Sequence, residues 1–193
     1  MKKKKQKIAF RSVAAILCLG TLLTTACSKT EAIKEQTATA FKPTASIQEI
    51  MQSIIDPNID AVWNSVATIS TTAGTEERSP KTDEEWSTVR QHALVVLEAS
   101  NLLLIEGRKT AVDGANTSTH PVELRPEEIE KSIAANRQVF NQHAHALHEA
   151  TLEAIAAIDA KSTDRLVKAG GRIDQTCEQC HTKFWYPGDK RPF

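Results

Sequence analysis

Aromatic residues are scarce in this chain of 193 residues, and so are glycine and proline. Phe, Trp and Tyr together make up 5% of the sequence, beside seven glycines and seven prolines. β-Sandwiches and barrels rely on aromatic and β-branched pairs and on frequent glycine turns, so this composition disfavours both. The length suits one domain of ordinary size. A helical domain is therefore the favoured class.

The chain also lacks a net charge, because its 24 basic residues balance its 24 acidic ones. The overall charge thus gives no reason to expect nucleic-acid binding. Six of the cations and none of the acids lie in residues 1–26, where an apolar run from Val13 to Leu23 follows the basic start. This pattern predicts an export signal peptide, since the run is shorter than the about 20 residues of a membrane span. Its removal leaves 18 basic and 24 acidic residues, a net charge of −6.

The end of the export segment, Leu23-Thr24-Thr25-Ala26-Cys27, resembles the lipobox of bacterial lipoproteins. The resemblance implies that Cys27 becomes the lipidated first residue, which would tether the protein stably on the periplasmic side of a bacterial membrane. Ser28 resembles the signal for the outer membrane. Thr24 departs from the pattern, which commonly has Leu or Val there, and an ordinary signal peptide or an uncleaved anchor stays open. Residues 27–43 are polar and small and are predicted to be a flexible tether.

Few cysteines remain for the folded domain. Cys18 leaves with the export segment and Cys27 is assigned to the lipid, which leaves Cys177 and Cys180. With His181 they read Cys-Glu-Gln-Cys-His, the signature of covalent c-type haem attachment. A chance match in a chain of this length is on the order of one in a thousand. We therefore predict one haem c, held covalently by the two cysteines, with neutral His181 as an axial iron ligand.

Three other uses of the cysteine pair stay open but explain less. A disulfide is possible in an oxidising compartment, but it gives no account of His181. A thioredoxin-like redox pair would want a βαβ context, which the flanking sequence does not show. A structural zinc site usually draws four ligands from two spaced pairs, and no second pair follows.

Four amphipathic segments are predicted before and through the motif. The first opens with a capping box at Ser46-Ile47-Gln48-Glu49, runs to Ile69, and has a kink or restart at Asp56-Pro57. The second opens at Thr82 and closes at Gly107, and residues 107–125 are predicted to be a surface loop. The third begins at Pro126 and continues to Ile158; the fourth, capped by Ser162 or Thr163, continues to Phe184. Four such segments predict an all-α, up-and-down antiparallel four-helix bundle with the haem on its last helix.

A four-helix bundle with CxxCH on its last helix resembles the cytochrome c′ family, over residues 44–187, with 188–193 as a tail. In that family the motif's histidine binds the iron and an aromatic residue often follows three positions later, as His181 and Phe184 do here. Trp185 departs from the family, where a basic residue is common. Gly170 and Gly171, two turns upstream, are expected to let the flat macrocycle approach the backbone. The resemblance also implies a possible homodimer, to which an exposed Trp63 would contribute.

The ligand on the side of the iron opposite His181 decides the function. Met51 is the only methionine left after export, and it lies on the apolar stripe of the first helix. In the low-spin branch of the family a methionine of this helix is the sixth ligand, whereas the gas-binding branch has an apolar residue there. Filling core space is the other role open to Met51.

Histidines of the third helix are competing candidates for the sixth iron ligand. They are His148 and His143, with His148 closer to the apolar stripe, whereas His145 points away from it. Three arginines are candidate partners for the negatively charged propionate groups of the haem: Arg90, Arg137 and Arg172.

These residues predict a periplasmic one-electron carrier with Met51 and His181 as iron ligands, and not an enzyme. Methionine ligation raises the reduction potential, and a low-spin iron needs little reorganisation on electron transfer. The acidic mature chain favours redox partners of the cell envelope with basic patches. Two alternatives stay open: a five-coordinate haem module that binds NO or CO, and a haem-free exported lipoprotein with a structural role.

Overall fold

A computed structural model describes residues 41–116 and 118–190, which belong to one compact unit. The predicted signal peptide, the lipid-bearing Cys27, nearly all of the tether and the last three residues of the tail lie outside these residues. The described chain is mostly helical and has one short two-stranded sheet. None of its helices is both long and apolar enough to cross a bilayer.

The first helical arm consists of α1 (Ile47–Ile50), a π-helical turn (Met51–Ile55) and α2 (Asp56–Ser65). The predicted capping box is confirmed, because the Ser46 hydroxyl accepts the Glu49 amide at 3.2 Å and the Glu49 carboxylate accepts the Ser46 amide at 2.8 Å. A π-helical turn lies at the predicted kink or restart. The helix continues through it without a gap, and Pro57 follows the π turn in the first turn of α2.

A β-hairpin follows the arm, so the predicted extension of the first helix to Ile69 is wrong. Strands β1 (Ala67–Thr71) and β2 (Gly74–Arg78) pair antiparallel, with Thr71 opposite Gly74. The segment is rich in β-branched Thr and Ile, which suit a strand, and Gly74 supplies a φ of +136° at the turn. The predicted all-α class is therefore corrected to a mostly helical fold with a hairpin.

Helix α3 (Asp83–Leu103) starts at the predicted capping box of Thr82 and Glu85. It ends four residues before Gly107, which has a φ of +76° in the following turn. The loop after it is not wholly at the surface, since Thr110 and Ala111 are buried. The carbonyls of Lys109 and Thr110 accept the first amides of α1 at 2.9 Å, so this loop satisfies the start of the first arm.

The predicted third helix is two helices, α4 (Pro126–Ala135) and α5 (Arg137–Asp159). Asn136 breaks the run with a φ of −130°. Its side-chain amide donates to the Ser132 carbonyl at 2.9 Å, beside the backbone N–H of Asn136, which reaches the same carbonyl at 3.1 Å. Helix α6 (Thr163–Phe184) is capped by the hydroxyl of Ser162, one of the two residues predicted for this role.

Helix α5 packs against both α3 and α6, and α2 packs against α3. Arg90, near the start of α3, contacts Asp159 at the end of α5, so these two helices run antiparallel. Phe140 near the start of α5 meets Phe184 at the end of α6, so this pair is antiparallel too. The core between them is formed by small and aliphatic residues that are almost wholly buried: Ile50, Val62, Ala93, Val96, Ala154, Ile158, Leu166 and Ile173.

Candidate functional site

Two neighbouring cavities lie between the first arm, α5 and the last turns of α6. The larger has a volume of about 430 Å³ and the smaller about 190 Å³. The larger volume is within the range of about 300–1,000 Å³ that is usual for cofactor sites. Both cavities are lined by Met51, Asp56, Phe140, Cys180 and His181. The fold thus brings the predicted sixth ligand and the Cys-Glu-Gln-Cys-His motif, which are distant in sequence, to the same site.

The motif occupies one helical turn of α6. Cys177 lines the larger cavity, and Cys180 and His181 line both, because residues three and four apart share a helical face. The two thiols are half-buried and form no disulfide. Cβ atoms at this spacing are about 5–6 Å apart in a helix, whereas a disulfide needs about 3.5–4.5 Å. The helical geometry therefore disfavours the disulfide alternative.

Burial keeps both thiols protonated. It is the main reason that the pKa of Cys177 rises to about 12, with further contributions from the nearby carboxylates of Asp174, Asp56 and Glu178. Burial also raises the pKa of Cys180 to about 12, and the neighbouring Cys177 adds to the effect. Disulfide exchange needs a thiolate, and redox CxxC pairs have lowered pKa values. The environment of this pair is the opposite of a thioredoxin-like site.

Slow alkylation of the two thiols is the first expected consequence. At pH 8 a thiol of pKa 9 is about one-tenth ionised, and one of pKa about 12 is about one ten-thousandth ionised. In the haem-free protein, iodoacetamide should therefore modify Cys177 and Cys180 on the order of a thousand times more slowly in the folded than in the urea-unfolded chain. Site-resolved mass spectrometry measures the two rates. Equal rates in both states would contradict the buried, neutral pair.

His181 is half-buried within the site. Burial is the main effect on its pKa, which is lowered, and the nearby Glu178 opposes the shift. A neutral imidazole has a free ring nitrogen for a metal, so this environment suits a ligand. The ring lies edge-on to Trp185, with centroids 5.3 Å apart, and to Tyr186, at 6.1 Å.

Met51 enters the site from the π turn of the first arm. It is half-buried and packs against the hydrophobic core while lining both cavities. Single π turns within helices are frequent at functional sites. A thioether opposite an imidazole is a ligand pair that haem iron accepts in electron carriers.

The structure reverses the order in which the histidines of α5 were ranked. His143 lines the larger cavity, and its ring is 6.0 Å from that of Phe184. His148 lines neither cavity and is held by Ser100, whose hydroxyl is 3.1 Å from its Nδ1. His145 is exposed, as expected. Helical angle alone misjudged His148 because α3 packs over that side of α5.

Among the three arginines, Arg137 contacts Phe140, which lines both cavities. Its guanidinium is 5.4 Å above the ring of Phe140 and donates to the Leu104 carbonyl at 2.7 Å, while its buried Nε has no hydrogen-bond partner. A buried donor without a partner beside a cofactor-sized cavity fits an anionic group such as a propionate. Arg90 is paired with Asp159 at 2.8 Å, and Arg172 lies on the exposed side of α6.

The indole ring of Trp63, and not a haem, occupies the space beside Gly170, where a larger side chain would not fit. Its indole N–H donates to the Gly170 carbonyl at 3.1 Å, and a Cβ on Gly170 would lie 3.0 Å from the indole ring. The expected approach of a haem at Gly170 is therefore wrong, whereas Gly171 faces open space. Trp63 is half-buried by this contact, so its description as an exposed aromatic is wrong as well.

The acidic surroundings of the motif were not predicted from the sequence. Asp174 and Glu178 lie one turn apart on α6 beside Cys177, and Asp56 approaches from α2. Burial raises the pKa of Asp56, and the charge of Asp60 adds to the shift. The i, i+4 spacing of the two α6 acids was a readable signal, whereas the approach of Asp56 depends on tertiary packing.

No family model matches the chain, and no curated protein or solved structure is similar enough to count as a match. Within residues 41–116 and 118–190, no three His, Cys, Asp or Glu side chains are grouped closely enough to hold a metal ion by themselves. The residues at the cavities do suit a haem, since two free thiols, a neutral imidazole and a thioether converge there.

Proposed function

We propose that this protein is an exported mono-haem c-type cytochrome that carries single electrons. The observation that carries the proposal is the convergence of Met51 with Cys180 and His181 on the same two cavities, with Cys177 on the larger. Cys177 and Cys180 would hold haem c through two thioethers, and His181 and Met51 would be the axial ligands. A haem with this ligand pair supplies reversible one-electron transfer at a raised potential.

Buried apolar residues of the chain line the proposed site. Phe140 and Phe184 are buried and meet edge to face, with centroids 5.5 Å apart, and Ile55 and Ile59 are buried on the first arm. Burial lowers the pKa of His181, which favours the neutral imidazole, whose ring nitrogen is available without loss of a proton. Arg137 is the candidate partner for a propionate.

The cytochrome c′ resemblance is the basis for the finer architecture. The first arm, α3, α5 and α6 would be the four helices of an up-and-down bundle, with the β-hairpin inserted between the first two. The antiparallel pairs α3 with α5 and α5 with α6 support this arrangement. Homodimerisation stays part of the proposal, but without a contribution from an exposed Trp63.

The proposed location depends on the export segment. A signal peptide followed by a lipidated Cys27 would place the protein on the periplasmic side of a bacterial membrane, more specifically the outer membrane. This compartment is where haem is attached to CxxCH motifs and where envelope redox partners are available. The net charge of −6 after removal of residues 1–26 would steer it toward basic partners.

Expression of the full chain in a host with a periplasmic haem-attachment system tests the proposal. We expect a coloured protein whose mass exceeds that of the processed polypeptide by one haem, with a low-spin spectrum and the near-infrared methionine-to-iron band. A colourless protein of unaugmented mass from that host would refute the proposal and leave the haem-free lipoprotein. A high-spin spectrum with bound NO or CO would instead support the five-coordinate gas-binding module.

A further inference from the structure

The C-terminal residues Trp185 and Tyr186 fold back over the last turn of α6. The amides of both residues donate to the His181 carbonyl, at 2.7 and 3.0 Å, so the chain reverses beside the motif. The Trp185 carbonyl in turn accepts the Leu124 amide at 2.7 Å, which ties this end to the loop before α4. Both aromatic rings contact the imidazole. Three hydrogen bonds and two ring contacts thus fix the surroundings of His181.

Tyr186 also holds the acidic residue inside the haem-binding motif. Its hydroxyl lies 2.9 and 3.0 Å from the two carboxylate oxygens of Glu178, and Tyr186 itself is only 7% exposed. Glu178 precedes His181 by three residues and therefore shares its face of α6. A charge-assisted hydrogen bond to a buried tyrosine fixes the carboxylate in one orientation, where a free glutamate on a helix would turn toward water. The negative charge is thereby kept beside the imidazole.

We propose that Tyr186 is a positioning residue that clamps the Glu178 carboxylate next to His181 and so lowers the reduction potential of the bound haem. The inference rests on the proposed function, since it concerns a haem whose axial ligand is His181. A fixed negative charge near the iron favours the oxidised state, which carries one positive charge more than the reduced state. Burial strengthens this effect because the surroundings screen the charge less than water does.

A double-mutant cycle on the holoprotein tests whether Tyr186 acts through Glu178. Tyr186→Phe keeps the ring and the backbone contacts and removes only the hydroxyl, whereas Glu178→Gln removes the charge and keeps the shape. We expect both variants to have a higher potential than the wild type, and we expect Tyr186→Phe to have no further effect in the Glu178→Gln background. Glu153→Gln, an exposed site on α5, is the charge-matched control and should shift the potential less.

Redox titration measures the potentials, and a tenfold change in the oxidised-to-reduced ratio corresponds to about 59 mV for one electron. A second readout is the fluorescence of the haem-free protein, in which Trp185, 5.4 Å from the ring of Tyr186, should report a looser C-terminal end in Tyr186→Phe. Additive shifts, or an unchanged potential in Tyr186→Phe, would overturn the clamp while leaving a coloured low-spin protein and the proposed function intact. A colourless wild type would overturn both.

Discussion

Replacement of both Cys177 and Cys180 with alanine is expected to abolish covalent haem. The two thiols are half-buried, unbonded to each other and on the same face of α6 as His181, so they are positioned to bind one group together. In the double variant any remaining haem would be held by coordination alone, and acidified organic solvent should remove it completely. Two measurements compare the double variant with the wild type: the haem stain of the denatured protein, and the mass of the intact chain before and after extraction.

The single variants Cys177→Ala and Cys180→Ala are the matched controls. Each keeps one thiol on the cavity, so each should retain some haem through denaturation. Alanine is tolerated well within a helix, which makes a loss of folding a poor explanation for the result. If the double variant kept acid-stable haem, attachment would have to occur elsewhere in the chain, and the assignment of the motif would be wrong.

The sequence was most informative where local chemistry decides the structure. The capping boxes at Ser46 and Thr82 appear where they were expected, because a hydroxyl and a carboxylate three residues apart satisfy the first amides of a helix in any context. The shared face of Cys177, Cys180 and His181 follows from helical spacing alone. Short-range patterns of this kind depend little on the remainder of the fold.

Tertiary packing decided the features that the sequence analysis missed. Ile69 continued a helical spacing, but a run of threonines with a glycine turn favoured a hairpin. His148 was ranked above His143 by helical angle, and only the packing of α3 over α5 shows that it bonds to Ser100. The glycine at position 170 was attributed to a nearby haem, but the close contact that requires a glycine there comes from Trp63 on another helix. Periodicity identifies a face but does not identify what covers it.

The position of a break within a helix was also not predicted from the sequence. Asn136 divides the predicted third helix, although the apolar residues on both sides keep a helical spacing. Asparagine is a poor residue for a helix interior because its side chain competes for backbone hydrogen bonds, as it does here with Ser132. Ile129 and Ile133, on α4 before this break, line the smaller cavity together with Met51.

Replacement of Met51 with leucine is expected to turn the proposed carrier into a five-coordinate haem protein. Met51 lines both cavities with His181, and the only other methionine in the sequence is Met1. Leucine is nearly isosteric, so the change should cost less than about 1.5 kcal/mol of folding free energy and leave the fold intact. The near-infrared methionine-to-iron band should disappear, the spectrum should become high-spin, and the reduction potential should fall because a thioether ligand raises it.

Ile47→Leu is the matched control, because Ile47 lies one turn before Met51 and lines the smaller cavity but has no ligand atom. That variant should keep the low-spin spectrum. The Met51 variant should also bind CO with the iron reduced, which links the carrier to the gas-binding alternative through a single side chain. An unchanged low-spin spectrum in Met51→Leu would exclude Met51 as the ligand, and His143, the histidine of α5 that lines the larger cavity, would become the next residue to replace. Loss of the low-spin spectrum in Met51→Leu, but not in Ile47→Leu or His143→Leu, is the pattern that Met51 ligation requires.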